Sequence, residues 1–194
     1  GKFAEDRIAP LNRAGDKETS RLVDGKVMVP TGFTEAYRDW AAGGWASVAA
    51  DPDFGGQGLP VLLNIGCTEI WNAANLAFSL NPLLTMGAVE AVTAHGSDYL
   101  KNTFLAKMIS GEWTGTMNLT EPQAGSDLAL LTSRAEPAGD GTYRVFGQKI
   151  FITYGDHEMT ENIVHLVLAR LPGAPPGTRG ISLFVVPKYL VNAD

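Results

Sequence analysis

The chain has 194 residues, 45% of them hydrophobic and 19% charged, enough to bury a sizeable core in the manner of a soluble globular protein. A formal net charge of -6 offers no clustered cationic surface for phosphate, which argues against nucleic acid as a partner. The single cysteine, Cys67, excludes an internal disulfide and a zinc site of paired cysteines, making a reducing, cytoplasmic setting the default, and no apolar run reaches the ~20 residues of a membrane span.

In chain order, Phe3 to Arg13 reads as a helix with Phe3, Ile8 and Leu11 near one face, its second half weakened by Pro10. The stretch "DGKVMVP" reads as an extended excursion or turn. Phe33 to Ala42 is a short helix stopped by Gly43-Gly44. "DPDFGGQGLP" is a loop. Leu62 to Ala77 and Leu83 to His95 form longer helices broken at Asn81-Pro82, and Asp98 to Ile109 is another, with Ser97 as its N-cap. A composition change near Ser110 then replaces Ala-rich helical spacing with β-branched and aromatic runs between Gly, Pro and Asp turns. Trp113 to Leu119, Tyr143 to Phe146, Ile150 to Thr153, Asn162 to Arg170 and Ile181 to Val186 read as strands. The expected fold is α+β: an all-helical domain over residues 1–110, then a small antiparallel barrel or sandwich over 111–194. The N-terminus lacks the basic-then-apolar order of a signal peptide. The chain opens in what reads as the middle of a helix and stops just past a strand at "VNAD", so both ends read as cuts.

The stretch "MNLTEPQAGSDL", from Met117 to Leu128, sets two hydroxyls and two carboxylates around Pro122 and Gly125 directly after a strand. A serine nucleophile at Ser126 has neither the G-x-S-x-G elbow nor a nearby His. A metal at Glu121 and Asp127 has no third donor in the stretch. A polar turn, with Ser126 or Asp127 capping "SDLALL", accounts for several of the residues. A cradle for a flat heteroaromatic cofactor accounts for more: Thr120 brings a hydroxyl and an N–H to a strand end, and Gly125 lets a ligand approach the backbone. In "GQKIFITYG", Phe151 offers a stacking face and Thr153 a second hydroxyl two residues further along a strand. The remaining candidates have plain structural readings. His95 sits near a helix end, His165 within a strand and Cys67 on an apolar helix, while His157 lies in a loop that could reach a site or a partner. "DFGGQG" is either a loop over a ligand or a glycine-rich turn, and it lacks the Lys of a phosphate loop.

The run Thr120-Glu121-Pro122-x-Ala124-Gly125-Ser126-Asp127, followed by Gly147-Gln148-Lys149-x-x-Ile152-Thr153, resembles the paired flavin signatures of the acyl-CoA dehydrogenase family. The likeness runs over nearly the whole chain, and "APLNRAGDKE", "GGWASVAADPDFGGQGLP" and "MTENIVHLVLARLPGAPPGTRGISLFVVPKYL" resemble the subgroup acting on 3-(methylthio)propanoyl-CoA. The resemblance implies FAD, an acyl-CoA substrate dehydrogenated to the trans-2-enoyl-CoA, an electron-transfer flavoprotein or similar acceptor, and a homo-oligomer. In that chemistry a carboxylate takes the α proton while the β hydrogen passes as hydride to the flavin, and hydrogen bonds to the thioester carbonyl stabilise the developing enolate.

By position, the resemblance implies that Met117, Leu119, Thr120, Gly125 and Ser126 line the flavin, with Ser126 also near the thioester arm. It implies that Phe151 flanks the ring where many relatives carry Trp, beside Ile152, and that Thr153 bonds near its reactive nitrogen. The family's base is a Glu on a helical bundle that follows the β domain, so it is expected beyond Asp194, no catalytic residue is assigned here, and the chain alone is expected to be inactive. Two other readings remain open: a flavin-binding relative without turnover, acting in stress response or as a binding protein, and a folded, inactive scaffold fragment.

Overall fold

In the computed structural model, which describes residues 1–192, helices fill the first part of the chain and a mixed sheet the second. The last residues of the expected second domain, Ala193 and Asp194, lie outside the described residues.

Pro10 does not cut the first helix short. The turn before it widens into a π-helical stretch, Ala4–Ile8, in which the Ala9 N–H reaches back to the Ala4 carbonyl. Pro10 then falls in the opening positions of α1 (Ala9–Glu18), where a helix does not need the missing N–H. The excursion that follows is a hairpin of β1 (Arg21–Val23) and β2 (Lys26–Met28). Next, α2 (Phe33–Ala42) spans the expected residues.

The expected break at Asn81-Pro82 is corrected: the helices are α3 (Val61–Ala74) and α4 (Leu76–His95), and Pro82 lies inside α4. The break sits at Asn75, whose extended backbone interrupts the helix and whose side-chain oxygen accepts the Phe78 N–H at 3.0 Å. Its amide also reaches the Ile8 carbonyl at 3.4 Å, so a buried capping residue fixes the corner where propensity pointed to the proline. The next helix, α5 (Asp98–Ser110), is capped by Ser97 as expected and closed by Gly111 in the left-handed region at φ 83. α4 has the length and mean hydropathy (1.2) of a membrane span, but it packs against α3, α5 and the sheet.

The sheet comprises β3 (Trp113–Asn118), β4 (Arg134–Pro137), β5 (Tyr143–Phe146), β6 (Asn162–Arg170) and β7 (Ile181–Pro187). It is not purely antiparallel, as the sequence suggested. β6 is central, pairing parallel with β3 over Trp113↔Asn162 to Asn118↔Val167 and, at Arg170, with Arg134 of β4; only β4–β5 and β6–β7 are antiparallel. The expected order of a helical region followed by a β region therefore holds, with a five-stranded sheet that is mixed and not antiparallel throughout.

Two apolar clusters hold the layers. An aromatic one joins Phe33, Tyr37, Trp40, Trp71 and Phe78, with Trp71 edge-on to Trp40 at 5.5 Å. The other joins Ala88 and Val92 of α4 and Phe104, Leu105, Met108 and Ile109 of α5 to Val164 and Leu166 of β6, so the core continues across Ser110. Gly115 permits this contact: a Cβ there would stand 2.5 Å from the Ala88 Cβ, and its N–H donates to the Thr85 hydroxyl at 3.0 Å.

Candidate functional site

β3 delivers the chain to Leu119 and Thr120 at its C-terminal end, and a tight turn follows. The Glu121 N–H donates to the Ala124 carbonyl at 2.8 Å and the Ala124 N–H returns to the Glu121 carbonyl at 3.0 Å. This closure sets Gly125 back beside Thr120, whose methyl would lie 3.8 Å from a Cβ built on Gly125. Among the described residues a side chain at Gly125 would meet only that ordinary contact, so the backbone there is open to solvent or to a ligand.

The second motif folds against the first. The Ile150 N–H donates to the Thr120 carbonyl at 2.9 Å. The strand expected over Ile150 to Thr153 does not form: that amide is used by Thr120, Gly147 has φ 147, and Phe151 (φ 57) and Tyr154 (φ 51) take left-handed conformations that end any ladder. Phe151 and Thr153 therefore do not share a strand face. Phe151 projects as an 88% exposed ring beside the Thr120 turn, while Ile152 and Thr153 are half-buried. Gly125 and Ser126 are exposed; Met117 packs against the α4–α5 cluster, so its role is to seat β3 on the helices. Among the described residues, the Thr120 N–H and hydroxyl donate to no protein acceptor.

Sequence reasoning passed over the feature that joins these segments. The carboxylate of Glu121, 3% exposed, accepts five hydrogen bonds. They come from the Thr132 N–H (2.7 Å) and hydroxyl (3.1 Å), the Ser133 N–H (3.0 Å), the Gln123 amide (2.6 Å) and the Lys149 ammonium (2.8 Å). Burial alone would raise its pKa, but the bonds from Lys149, Ser133 and Thr132 outweigh that and hold the carboxyl well below the usual carboxylate range. Glu121 is thus held in its ionised form by its neighbours, as an anchor for the turn. Lys149, its side chain 9% exposed, also donates to the Leu119 carbonyl at 3.1 Å. The signal for it in the sequence was a charged residue one position before an apolar run. Arg170 does similar work at the far end of β6, donating to the carbonyls of Ala129 (2.7 Å), Leu131 (3.0 Å) and Gly177 (2.9 Å).

His157 is buried in the joint between layers. Its Nδ1 accepts the Met159 N–H at 3.2 Å, which leaves the proton on Nε2, 3.0 Å from the Thr114 hydroxyl. Burial chiefly, with the Lys188 charge, lowers its pKa to about 4. The Asp51–Gly58 loop is folded on itself, with the Gln57 amide donating to the Gly44 carbonyl at 2.7 Å and Gly56 held so close to the Ala50 carbonyl that a Cβ would stand 2.0 Å from it. Beside that loop, a cleft of about 440 Å³ is lined by Trp40, Met86, Val89, Glu90 and Thr93. Together the orphaned Thr120 N–H, the open space at Gly125 and the exposed Phe151 ring suit a flat heteroaromatic ligand, which takes hydrogen bonds at its edge and contact on its face.

The chain is similar to known proteins over its whole length. The family model described as "Acyl-CoA dehydrogenase, N-terminal domain" matches residues 1–112, and "Acyl-CoA dehydrogenase, middle domain" matches 116–192. The chain is 53% identical to 3-methylmercaptopropionyl-CoA dehydrogenase of Ruegeria pomeroyi over 99% of its own length and 33% of that relative's. It superposes on butyryl-CoA dehydrogenase from Megasphaera elsdenii with a TM-score of 0.78 at 23% identity, a likeness of fold over 96% of this chain and 46% of that one. An FAD complex of PigA superposes with a TM-score of 0.75 at 25% identity, over 96% and 45% of the two chains. The chain spans about a third of the length of its Ruegeria relative. With both of its layers matched by the corresponding domain models, this chain belongs to the acyl-CoA dehydrogenase family.

Proposed function

We propose that the protein to which this chain belongs is an FAD-dependent acyl-CoA dehydrogenase acting on short acyl-CoA thioesters, 3-(methylthio)propanoyl-CoA among them. The observation that carries this reading is the meeting of the two motifs, in which the Ile150 N–H bonds to the Thr120 carbonyl and Lys149 bridges Leu119 and Glu121, with Gly125 and the Phe151 ring exposed nearby in the chain. The 53% identity to a 3-methylmercaptopropionyl-CoA dehydrogenase supports the substrate, and the FAD complex of a structural neighbour supports the cofactor.

In this reading Leu119, Thr120, Gly125 and Ser126 hold the cofactor's edge, Phe151 covers its ring, Ile152 and Thr153 border it, and Ser126 also meets the thioester arm. The flavin supplies the two-electron acceptor. The chain's residues contribute donors held in place before the ligand arrives, so little ordering cost falls on binding. As the family resemblance implies, the base is assigned to a carboxylate outside residues 1–194; Glu121, whose carboxylate is fully engaged, is not a substitute for it. An electron-transfer flavoprotein as acceptor, a homo-oligomeric assembly and a cytoplasmic location complete the proposal.

The test is anaerobic titration of the full-length protein, purified with FAD, against 3-(methylthio)propanoyl-CoA and butanoyl-CoA. Loss of the visible flavin absorbance with either ester, and formation of the 2-enoyl product, is the expected result. A flavin that stays oxidised with both esters would sink the proposal.

A further inference from the structure

We infer that Lys149 is a positioning residue that polarises the Leu119–Thr120 peptide, sharpening an N–H that the turn leaves free for the cofactor. The inference rests on the flavin reading above and adds to it a role for a residue that does not itself touch the ligand.

Leu119 C=O and Thr120 N–H are the two ends of a single amide. The Lys149 ammonium donates to the oxygen end at 3.1 Å, and among the described residues the nitrogen end donates to no protein acceptor. A cation at an amide oxygen draws electron density through the C–N bond and makes the N–H a stronger donor, the cooperative effect that runs along hydrogen-bonded chains. Near-complete burial of the Lys149 side chain keeps the effect from being screened by water.

Pairing with Glu121 does not by itself account for this lysine. The carboxylate already has four other donors, two of them backbone N–H groups, so it is satisfied without a fifth. What Lys149 adds is its second bond, to Leu119. That bond also ties the first motif to the second, since Ile150, the next residue, donates to the Thr120 carbonyl. Both peptides of Thr120 are thereby fixed from the 149–150 segment, one at its N-terminal and one at its C-terminal side.

Reduction of a flavin raises the electron density on its ring heteroatoms. A polarised donor therefore favours the reduced cofactor over the oxidised one, and Lys149 raises the potential of the bound flavin. A residue that served only to hold the fold together would alter stability and overall affinity without separating the two redox states.

The experiment uses the full-length FAD-loaded protein and measures the midpoint potential of the bound flavin, together with FAD affinity in the oxidised and reduced states. Lys149→Met alone leaves Glu121 charged and short of a partner, so it is paired with Lys149→Met/Glu121→Gln, which removes both charges, and with Lys149→Arg, which keeps the cation. In the double variant the reduced cofactor is expected to lose about tenfold more affinity than the oxidised one, equivalent to a potential about 30 mV more negative for a two-electron couple. Lys149→Arg should stay closer to the parent, and Arg134→Met, which breaks an exposed pair with Glu136 on β4, should leave the potential unchanged. A double variant that binds FAD stoichiometrically at the parent's potential overturns the inference and leaves the dehydrogenase reading intact. A parent protein that holds no FAD overturns both.

Discussion

Glu121 shows how one side chain can organise a loop without taking part in chemistry. Its carboxylate satisfies two backbone N–H groups, two neutral side chains and a buried ammonium at once. Removing it strands the Thr132 and Ser133 N–H groups and takes the counter-charge from the Lys149 ammonium, which keeps the Leu119 carbonyl, and a buried charge left unpaired costs about 3–5 kcal/mol. Glu121→Ala is therefore expected to lower the unfolding free energy by that amount in urea titrations, while Glu121→Gln, which retains an acceptor oxygen, should lose clearly less. Equal losses in the two variants would show that packing, not charge, fixes the turn. At this scale the sequence was readable where a residue's own chemistry suffices: Thr120, Gly125 and Phe151 were singled out, and in the structure Gly125 lies beside Thr120 while Ile150, the neighbour of Phe151, bonds to the Thr120 carbonyl. Lys149 was not singled out, because its importance depends on two partners at sequence distances of 28 and 30 residues that no local pattern reveals.

Among the elements, those defined by strong local signals appear where expected. The Ser97-capped helix, the helix ended by Gly43-Gly44 and the central strand Asn162–Arg170 are of this kind. Elements decided by tertiary contact were misread. The "IFIT" run has strong strand propensity, yet its first amide bonds to Thr120 and its backbone turns left-handed at Phe151, so it serves as a loop. The polar segment Arg134–Pro137 pairs as a strand because the hairpin closing at Gly139 to Gly141 supplies its neighbour. The parallel pairing of β3 with β6 needs a long connection, and such connections leave no mark on either strand's sequence. Its seat on α4 depends on Gly115. Gly115→Ala would drive a methyl to 2.5 Å from the Ala88 Cβ, forcing helix and strand apart at a cost of about 1–3 kcal/mol. The companion change Ala88→Gly should recover part of that loss in the double variant, measured by thermal unfolding; additive losses would show that the contact is not where the strain resides.

Across the whole molecule, the helical layer, the sheet and the loop after the second motif converge on His157, so the integrity of the assembly should follow its protonation. The imidazole meets Asn81 of α4 (3.4 Å), Thr114 of β3 (3.0 Å) and the Met159 N–H (3.2 Å), with Lys188 and Asp156 exerting opposing charges from nearby and His165 adding a further lowering influence. Burial, the largest cause, depresses its folded-state pKa to about 4 from an ordinary 6.5. Between those values the unfolded chain takes up a proton that the folded protein refuses. The contribution of neutral His157 is therefore complete above pH 6.5 and declines as the pH falls toward 4, at up to about 1.4 kcal/mol per pH unit. Protonation would also place a hydrogen on Nδ1, facing the Met159 N–H that it must accept. His165 is lowered too, chiefly by burial, and acts in the same direction, so the two must be separated by comparison. Urea unfolding followed from pH 7 to pH 4 is expected to show a shallower loss of stability in His157→Gln than in the parent, with the two profiles converging toward the acid end. Parallel profiles across that window would mean that His157 is not the proton-sensitive joint between the layers.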